Sequence, residues 1–463
     1  MHKTIKIISL ILAMALVIGV FAGCGKQKND GKTHITVASW PIQETQEARY
    51  EMYEDYKAKF LEQNPDIVME TDEWQFDLKS YLVKAAGKDL PTVFNVVPTE
   101  LATLANSGYI KDITPYLEKY GYLDKYNEDY SRLYTIDGKA YALVDPSSVY
   151  KMGMVYSNKL FEQAGLVDEK GLPIYPQTWD EVTETAIKIK EATGKPGYVL
   201  ATNGRHGGWH FLNIAWGFGT TFMEQDANGK WKATFNSPEC AEALQWVKDM
   251  KWKHNVLQDN LLTNLVEIRK LVGTDEGAMG ISASDHMLAA RQQYGTDPKG
   301  ISMSRMPAGP EARASQLSAN IWCFSAEATD EEIEAVFKWF NMIGMGTEIN
   351  EDTKAAWDAD YKTKAVDQIV GIPITSIWKD EDLYNERFDI MMKYSNVNQE
   401  NFVDYTSDEG IDYRFEPEKC VQELYDVLDA AIQKVLTDKN ADVNAVLEEA
   451  AHNFQVNFLD KVE

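Results

Sequence analysis

Apolar and polar positions along this chain fall into short, regular bursts. His34 to Ser39 (HITVAS) has β-branched residues in alternation, which predicts a strand. Ala48, Met52, Tyr56 and Phe60 then recur every four residues with Tyr53 and Leu61 beside them, the stripe of a helix that Asn64-Pro65 stops. Ile67 to Glu70 predicts a second strand, Asp77 to Ala86 a helix, and Thr92 to Val97 a third strand. Leu101 to Asn106 is a short helix closed near Gly108. Strand, helix, strand, helix at this spacing predicts βαβ units, an α/β fold with a parallel sheet and helices on its faces.

A second segment of the same kind follows Tyr141 to Val144. Met152 to Tyr156 is a strand and Asn158 to Ala164 a helix ending at Gly165. Thr178 and Glu181 form a capping box for a helix that Gly194 ends. Tyr198 to Ala201 is strand-like, and Ser237-Pro238 opens another helix with proline where its missing N–H costs nothing. Ala278 to Ser282 and Ile321 to Ser325 are strand-like, Thr329 and Glu332 box a helix through Met342, and beyond Pro417 the pattern is helical.

The first 24 residues differ from all of this. Lys3 and Lys6 precede an apolar run from Ile7 to Phe21, and Ala22, Gly23 and Cys24 close it. A basic end, a short apolar core and small residues read as a secretory signal peptide. A run of about 15 residues is short for a spanning helix, which needs roughly 20. Gly25 to Lys32 is a polar linker. Phe21-Ala22-Gly23-Cys24 resembles the bacterial lipoprotein signal (segment 1–24), which implies acylation of Cys24 (palmitate), its becoming the first residue of the mature chain, and a lipid-anchored protein on the extracytoplasmic face of the cell membrane.

A formal net charge of −26 argues against a nucleic acid partner, because phosphate binding needs clustered Lys and Arg. It argues equally against adhesion to anionic headgroups, so membrane association would rest on the acyl chain. At 463 residues the length prior gives two or three domains. Beyond Cys24, only Cys240, Cys323 and Cys420 remain; at most one bridge can form, and buried free thiols are the favoured reading.

The order of local patterns resembles the extracellular solute-binding proteins of family 1, lipoprotein receptors for carbohydrate-type ABC importers. The matching stretches are ITVASW at Ile35 to Trp40, FLEQNP at Phe60 to Pro65, LPTVFNVV at Leu90 to Val97 and GYIKDITPYLEKYG at Gly108 to Gly121. They continue with DGKAYALV at Asp137 to Val144, VYSNKLFEQAG at Val155 to Gly165, PQTWDEV at Pro176 to Val182, EGAMGIS at Glu276 to Ser282 and GIPIT at Gly371 to Thr375. Val144-Asp145 stands where many relatives have Leu-Pro, and Asn95 where Asp is commoner. The resemblance implies a two-lobe periplasmic-binding-protein-like fold (type II) with a ligand cleft between the lobes. Lobe 1 would be 34–144 with a return near 303–346, after a linker at 25–33; lobe 2 would be 145–302, completed by 347–463. It also implies a monomer that closes on a sugar or oligosaccharide and docks on ABC permease subunits.

A sugar ring has one apolar face and a rim of hydroxyls, so its site needs an aromatic plate and paired polar side chains. Trp40 and Glu44 stand where the first strand ends and its helix begins; Trp40 either faces the cleft or packs under the loop. Trp74 follows the second strand and either meets ligand or caps a core. Asn203 to His210 holds three glycines with Arg205 and Trp209, and Trp216 follows seven residues later, so the tryptophans share a helix face and either one touches ligand or both form a core stripe. His206 and His210 have i, i+4 spacing, but no HExxH or third ligand accompanies them, and no metal or cofactor is expected. Asp285 follows a strand end. Trp322 is a plate or inter-lobe packing, and Asp145 pairs with ligand or turns the chain before Pro146. Trp179, Trp246, Trp252 and Trp339 have core-like helical spacing.

No zinc-hydrolase helix, glycine-rich phosphate loop or GxSxG is present, and the chain reads as a non-enzyme. A secreted acidic glycosidase is the competing class, although no local motif selects the two opposed carboxylates it would need. A carbohydrate-binding surface adhesin is the other.

Overall fold

The computed structural model of the chain describes residues 30–78 and 80–461. The leader, Cys24 and most of the linker lie outside the described residues. Among those described, no helix is long and apolar enough to cross a membrane.

The strands of the two main sheets are, in chain order, β1 (Thr33–Val37), β2 (Ile67–Thr71), β3 (Val93–Val96), β4 (Ala142–Val144), β5 (Tyr150–Ser157), β6 (Met279–Ala283), β7 (Ile301–Arg305), β8 (Arg313–Ser318), β9 (Ile321–Phe324) and β10 (Ile411–Arg414). The first sheet has the order β2-β1-β3-β9-β4. Its β1 runs parallel to β2 and β3, as βαβ units require, while β9 is antiparallel to β3 and β4. The second sheet has the order β6-β5-β8-β10, with β7 also on β5. It departs from the expected parallel pattern: β6, β7 and β8 all run antiparallel to β5, and only the β8–β10 pair is parallel.

Sheet pairing also moves the expected lobe boundaries. Met303 lies in β7 and Arg313–Ser318 in β8, both bonded to β5, so the chain re-enters the first sheet only at Ile321. The tail divides as well. Helices Glu351–Lys364 and Glu381–Met392 put Trp357, Tyr361, Leu383 and Ile390 into the first core, whereas helices Val421–Thr437 and Val443–Asn457 complete the second.

Several local readings meet a tertiary override. Tyr198–Ala201 lies alongside β6, but only Val199 N–H bonds to it, at Met279 O (2.8 Å). Its neighbour Leu200 is instead bracketed by the Gln258 amide, which accepts from Leu200 N (3.0 Å) and donates to Leu200 O (2.7 Å), so a side chain replaces a strand partner. Thr178 caps its helix at Glu181 N, but the Glu181 carboxylate accepts from Gln177 N (2.6 Å), one residue before the cap. The Thr329–Glu332 box forms in both directions.

Trp40 shows most clearly what holds the first lobe. It is 1 % exposed, stacks on Trp339 at 5.6 Å, meets Tyr53 edge-on at 5.3 Å and donates its Nε1–H to Glu54 at 3.1 Å. The packing reading of Trp40 is the one the structure takes, because the helix Glu47–Gln63 folds back over the end of β1. Trp40→Ala should therefore cost about 3–5 kcal/mol of stability, as large buried aromatics do; a denaturant titration that finds less than 1 kcal/mol would contradict this placement.

Candidate functional site

Two connecting segments run side by side between the sheets. Asp145 N–H donates to Asn320 O (3.0 Å), Asn320 N–H to Ser148 Oγ (2.9 Å), and Thr375 N–H to Val149 O (3.2 Å) from a third segment. Tyr150, the first residue of β5, emerges directly from this crossing and is half-buried.

The Tyr150 ring stands perpendicular to Trp209 at 6.5 Å and tilted to His286 at 5.6 Å. Trp209 is half-buried, with His286 at 5.4 Å, His210 at 5.1 Å and His206 at 6.1 Å. His286 Nδ1 accepts the Ala283 N–H (3.1 Å), which places the ring proton on Nε2, 3.6 Å from Asp285 Oδ1. Burial lowers the pKa of His286, His206 and His210 below the usual histidine value, so all three are neutral at pH 7. His206 Nδ1, His210 Nε2, Ser284 Oγ and Asp285 Oδ1 are buried without a hydrogen-bond partner. Buried polar atoms are ordinarily satisfied, and a group of orphans beside a half-buried tryptophan marks a surface shaped for a polar ligand with an apolar face. Among the described residues no group of three or more His, Cys, Asp or Glu is arranged to hold a metal ion.

The helix His206–Gly217 is set by its neighbour. Asp429 accepts from Arg205 N and Gly208 N, both at 2.7 Å, and so satisfies the helix N-terminus from outside. A Cβ on Gly208 would lie 2.6 Å from Tyr425 backbone atoms. Gly207 and Gly208 are thus spent on close helix packing. Arg205 takes a left-handed φ of 71°, and its Nε–H donates to Asp426 (3.0 Å).

The other expected site residues are scattered. Asp145 accepts from Ser147 N and Oγ (2.8 and 2.7 Å), turning the chain, and its charge also acts on Arg49 and Arg387. Trp322 lies beside Asn95 across the sheet, packs on Phe340 at 5.6 Å and leaves its buried Nε1 unpartnered. Glu44 is exposed on a hollow of about 340 Å³ that Arg49, Asp360 and Lys364 share with Gln292 of the second lobe. Trp74 covers the edge of the first core against Phe94 (6.0 Å), with Lys84 Nζ 5.3 Å from its ring. Trp216 is 5 % exposed, core-packed against Phe222 and stacked by Arg414 at 5.9 Å. So Trp209 and Asp285 come together, Asp145 and Trp322 flank the crossing, and Trp40, Trp74 and Trp216 serve cores. A hollow of about 1030 Å³ lies within the first lobe between its helices, away from these groups.

Four groups went unseen in the sequence: Tyr150, Gln316, Glu416 and Glu100. Gln316 is 0 % exposed and both of its amide atoms lack partners. Glu416 accepts from Tyr425 OH at 2.5 Å, and burial, reinforced by the charge of Glu100, raises its pKa to about 7. Only Tyr150 had a local signal, its position at the start of a strand after the crossover.

A family model described as bacterial extracellular solute-binding protein matches residues 43–343. The arabinooligosaccharide-binding protein of Bacillus subtilis (strain 168) is 28% identical over 260 residues, 54% of this chain and 54% of that protein, so the match spans about half the length of this curated relative. An ABC substrate-binding protein from Listeria monocytogenes in complex with cycloalternan superposes with a TM-score of 0.66 at 19% identity, covering 92% of this chain and 99% of that one. A Mycobacterium tuberculosis protein in complex with glycerophosphocholine superposes with a TM-score of 0.67 at 15% identity, covering 92% and 98%. At these identities the solved structures establish a shared two-lobe fold.

The raised Glu416 carboxyl has a consequence for stability. Its folded pKa of about 7 exceeds the ordinary 4.5, so the folded state holds its proton more tightly and stability falls as pH rises from about 4.5 to about 7. Glu416→Gln, which keeps an acceptor for Tyr425, should raise the melting temperature at pH 8 and leave it unchanged at pH 4. Thermal unfolding at the two pH values checks this, and equal shifts at both would contradict it.

Proposed function

Because the chain belongs to the bacterial extracellular solute-binding proteins, we propose that it captures a sugar or oligosaccharide between its lobes and delivers it to an ABC importer. The observation that carries this reading is the half-buried Trp209, bordered by Tyr150 and His286, with the unpartnered polar atoms of His206, His210, Ser284 and Asp285 grouped around it. An indole face suits the apolar side of a sugar ring, and the polar atoms around it suit its hydroxyl rim. The relative from Bacillus, whose name assigns it arabinooligosaccharide, supports the same class of ligand.

Trp209 serves as the plate, Asp285 and the neutral Nε2–H of His286 as an acceptor and donor pair, and Asp145 and Trp322 as the border on the crossing side. The crossing segments are the place about which the lobes close. The closed form then docks, as a monomer, on the permease subunits. The glycosidase and adhesin readings have no support in the family match. The lipoprotein leader ending at Cys24 would hold the receptor at the extracytoplasmic face of the membrane.

A thermal-shift screen of neutral mono- and oligosaccharides tests the ligand class: one present at 100 times its dissociation constant should stabilise the protein by about 2.7 kcal/mol. Trp209→Ala should weaken the sugar so found by roughly 1–3 kcal/mol, by analogy with base–aromatic stacking, with little change in unfolding. Unaltered calorimetric affinity in that variant would remove Trp209 from the site. Cys24→Ser should release the protein to the medium or leave an uncleaved precursor. A wild-type N-terminal peptide without an acyl chain, seen by mass spectrometry, would overturn the anchor.

A further inference from the structure

Glu416 and Gln316 stand on adjacent strands or their ends: Gln316 pairs with Arg414 in the β8–β10 register, and Glu416 is two residues further on. The Gln316 amide lies beside the Glu416 carboxyl and favours its ionised form, although neither amide atom makes a hydrogen bond of full geometry. Glu100 faces them from the first lobe, on the turn Pro98–Glu100 after β3, where it accepts from Tyr81 OH. The lobes touch beside it, since Gln422 Nε2–H donates to Thr99 Oγ1 at 2.9 Å. Glu416 also lines a hollow of about 300 Å³ with Trp216 and Arg132, to which Gln316 and Glu100 do not contribute.

The cations around this corner are committed. Arg205 is paired with Asp426 at 3.0 Å, Arg132 with Glu418 at 3.2 Å and Arg414 with Asp412 at 2.7 Å. Glu423 adds further negative charge beside Glu100. A group entering here meets an unpaired amide, which offers both a donor and an acceptor, and two carboxyls from opposite lobes. A hydroxyl answers the amide at both ends, and an ammonium answers the carboxyls. A carboxylate or phosphate would meet like charge with no uncommitted guanidinium to offset it.

We propose that Gln316, Glu416 and Glu100 form a ligand subsite that takes a sugar unit without negative charge, hydroxylated or amine-bearing, and turns away sugar acids and sugar phosphates. The assignment rests on the carbohydrate-receptor reading above and adds to it the charge class of the ligand. The buried Gln316 amide beside Glu416, with no hydrogen bond of full geometry at either atom, is what distinguishes it from an ordinary acidic patch.

The test is calorimetry and thermal shift on the mature chain with backbone-matched probes: galacto-oligosaccharides against oligogalacturonides, glucosamine oligomers, and glucose against glucose 6-phosphate. The expected result is that a neutral or amine-bearing member binds and its acidic counterpart binds at least tenfold more weakly. Gln316→Ala should weaken the bound sugar tenfold or more. Glu416→Gln, which preserves shape and the Tyr425 bond, should narrow the neutral-to-acidic ratio by at least tenfold. An acidic member that binds as well as its neutral partner overturns the charge selection but leaves the receptor reading standing. A ratio unchanged in a folded Glu416→Gln protein removes Glu416 from the subsite. If no sugar of any charge binds, the receptor reading fails and this assignment with it.

Discussion

A Cβ on Gly153 would overlap Ser304 O and lie 2.8 Å from the Tyr405 ring, and the second lobe is arranged around that close approach. Gly153 sits in β5, which carries β6 on one edge, β7 and β8 on the other, and is buried along nearly its whole length. Tyr405 uses the space Gly153 leaves. Its hydroxyl donates to Lys151 O at 2.7 Å and accepts from Ser284 N at 3.3 Å, tying β5 to the segment that carries Asp285 and His286. The same strand starts at Tyr150 in the candidate site and ends at Ser157, whose side chain caps the next helix. Site geometry and lobe stability therefore share one strand, and a side chain at Gly153 would disturb both.

Much of the fold was legible because its signals are local. Alternation around Ile35, the four-residue period from Ala48 to Phe60 and the Thr329–Glu332 box all act within a few residues, and each element stands where those signals put it. Sheet direction is not local. Nothing in Met152 to Tyr156 distinguishes a parallel neighbour from the antiparallel β6, β7 and β8, since a strand buried on both faces reads the same either way. The tail illustrates the same limit: the helices Glu351–Lys364 and Val421–Thr437 go to different cores, and no local signal in either names its partner.

The site was legible only where one element carries it. Asp285 and Trp209 follow from a strand end and a glycine-rich helix start, but Trp40 satisfies the same strand-end criterion and lies in a core. What separates them is the partner. Trp40 meets Trp339, Tyr53 and a carboxylate that takes its N–H, whereas Trp209 meets Tyr150 and the imidazoles of His206 and His210, each with one unsatisfied nitrogen. Trp339 stands 299 residues from Trp40, and Tyr150 and His286 stand 59 and 77 residues from Trp209, so no short window of sequence holds the distinction. Gln316 and Glu416 were missed for a related reason: β10 joins the sheet from a segment with no strong strand pattern, and only its pairing with β8 brings them together.

The helix Val421–Thr437 links these observations. Asp429 satisfies the N-terminus of the helix that carries Trp209, Tyr425 backbone packs against Gly208 and its hydroxyl holds Glu416, and Gln422 reaches Thr99 in the other lobe. One rigid element thus positions the aromatic plate, orients a carboxyl and senses the facing lobe. Burial raises Asp429 to about 6 even though it accepts two backbone N–H groups, so the cap is held in place by packing against its own charge preference. Apolar residues Leu424, Leu428, Ile432 and Val435 on the buried stripe supply that packing. The hydrophobic pattern of a C-terminal helix, far in sequence from every candidate ligand contact, is what fixes their geometry.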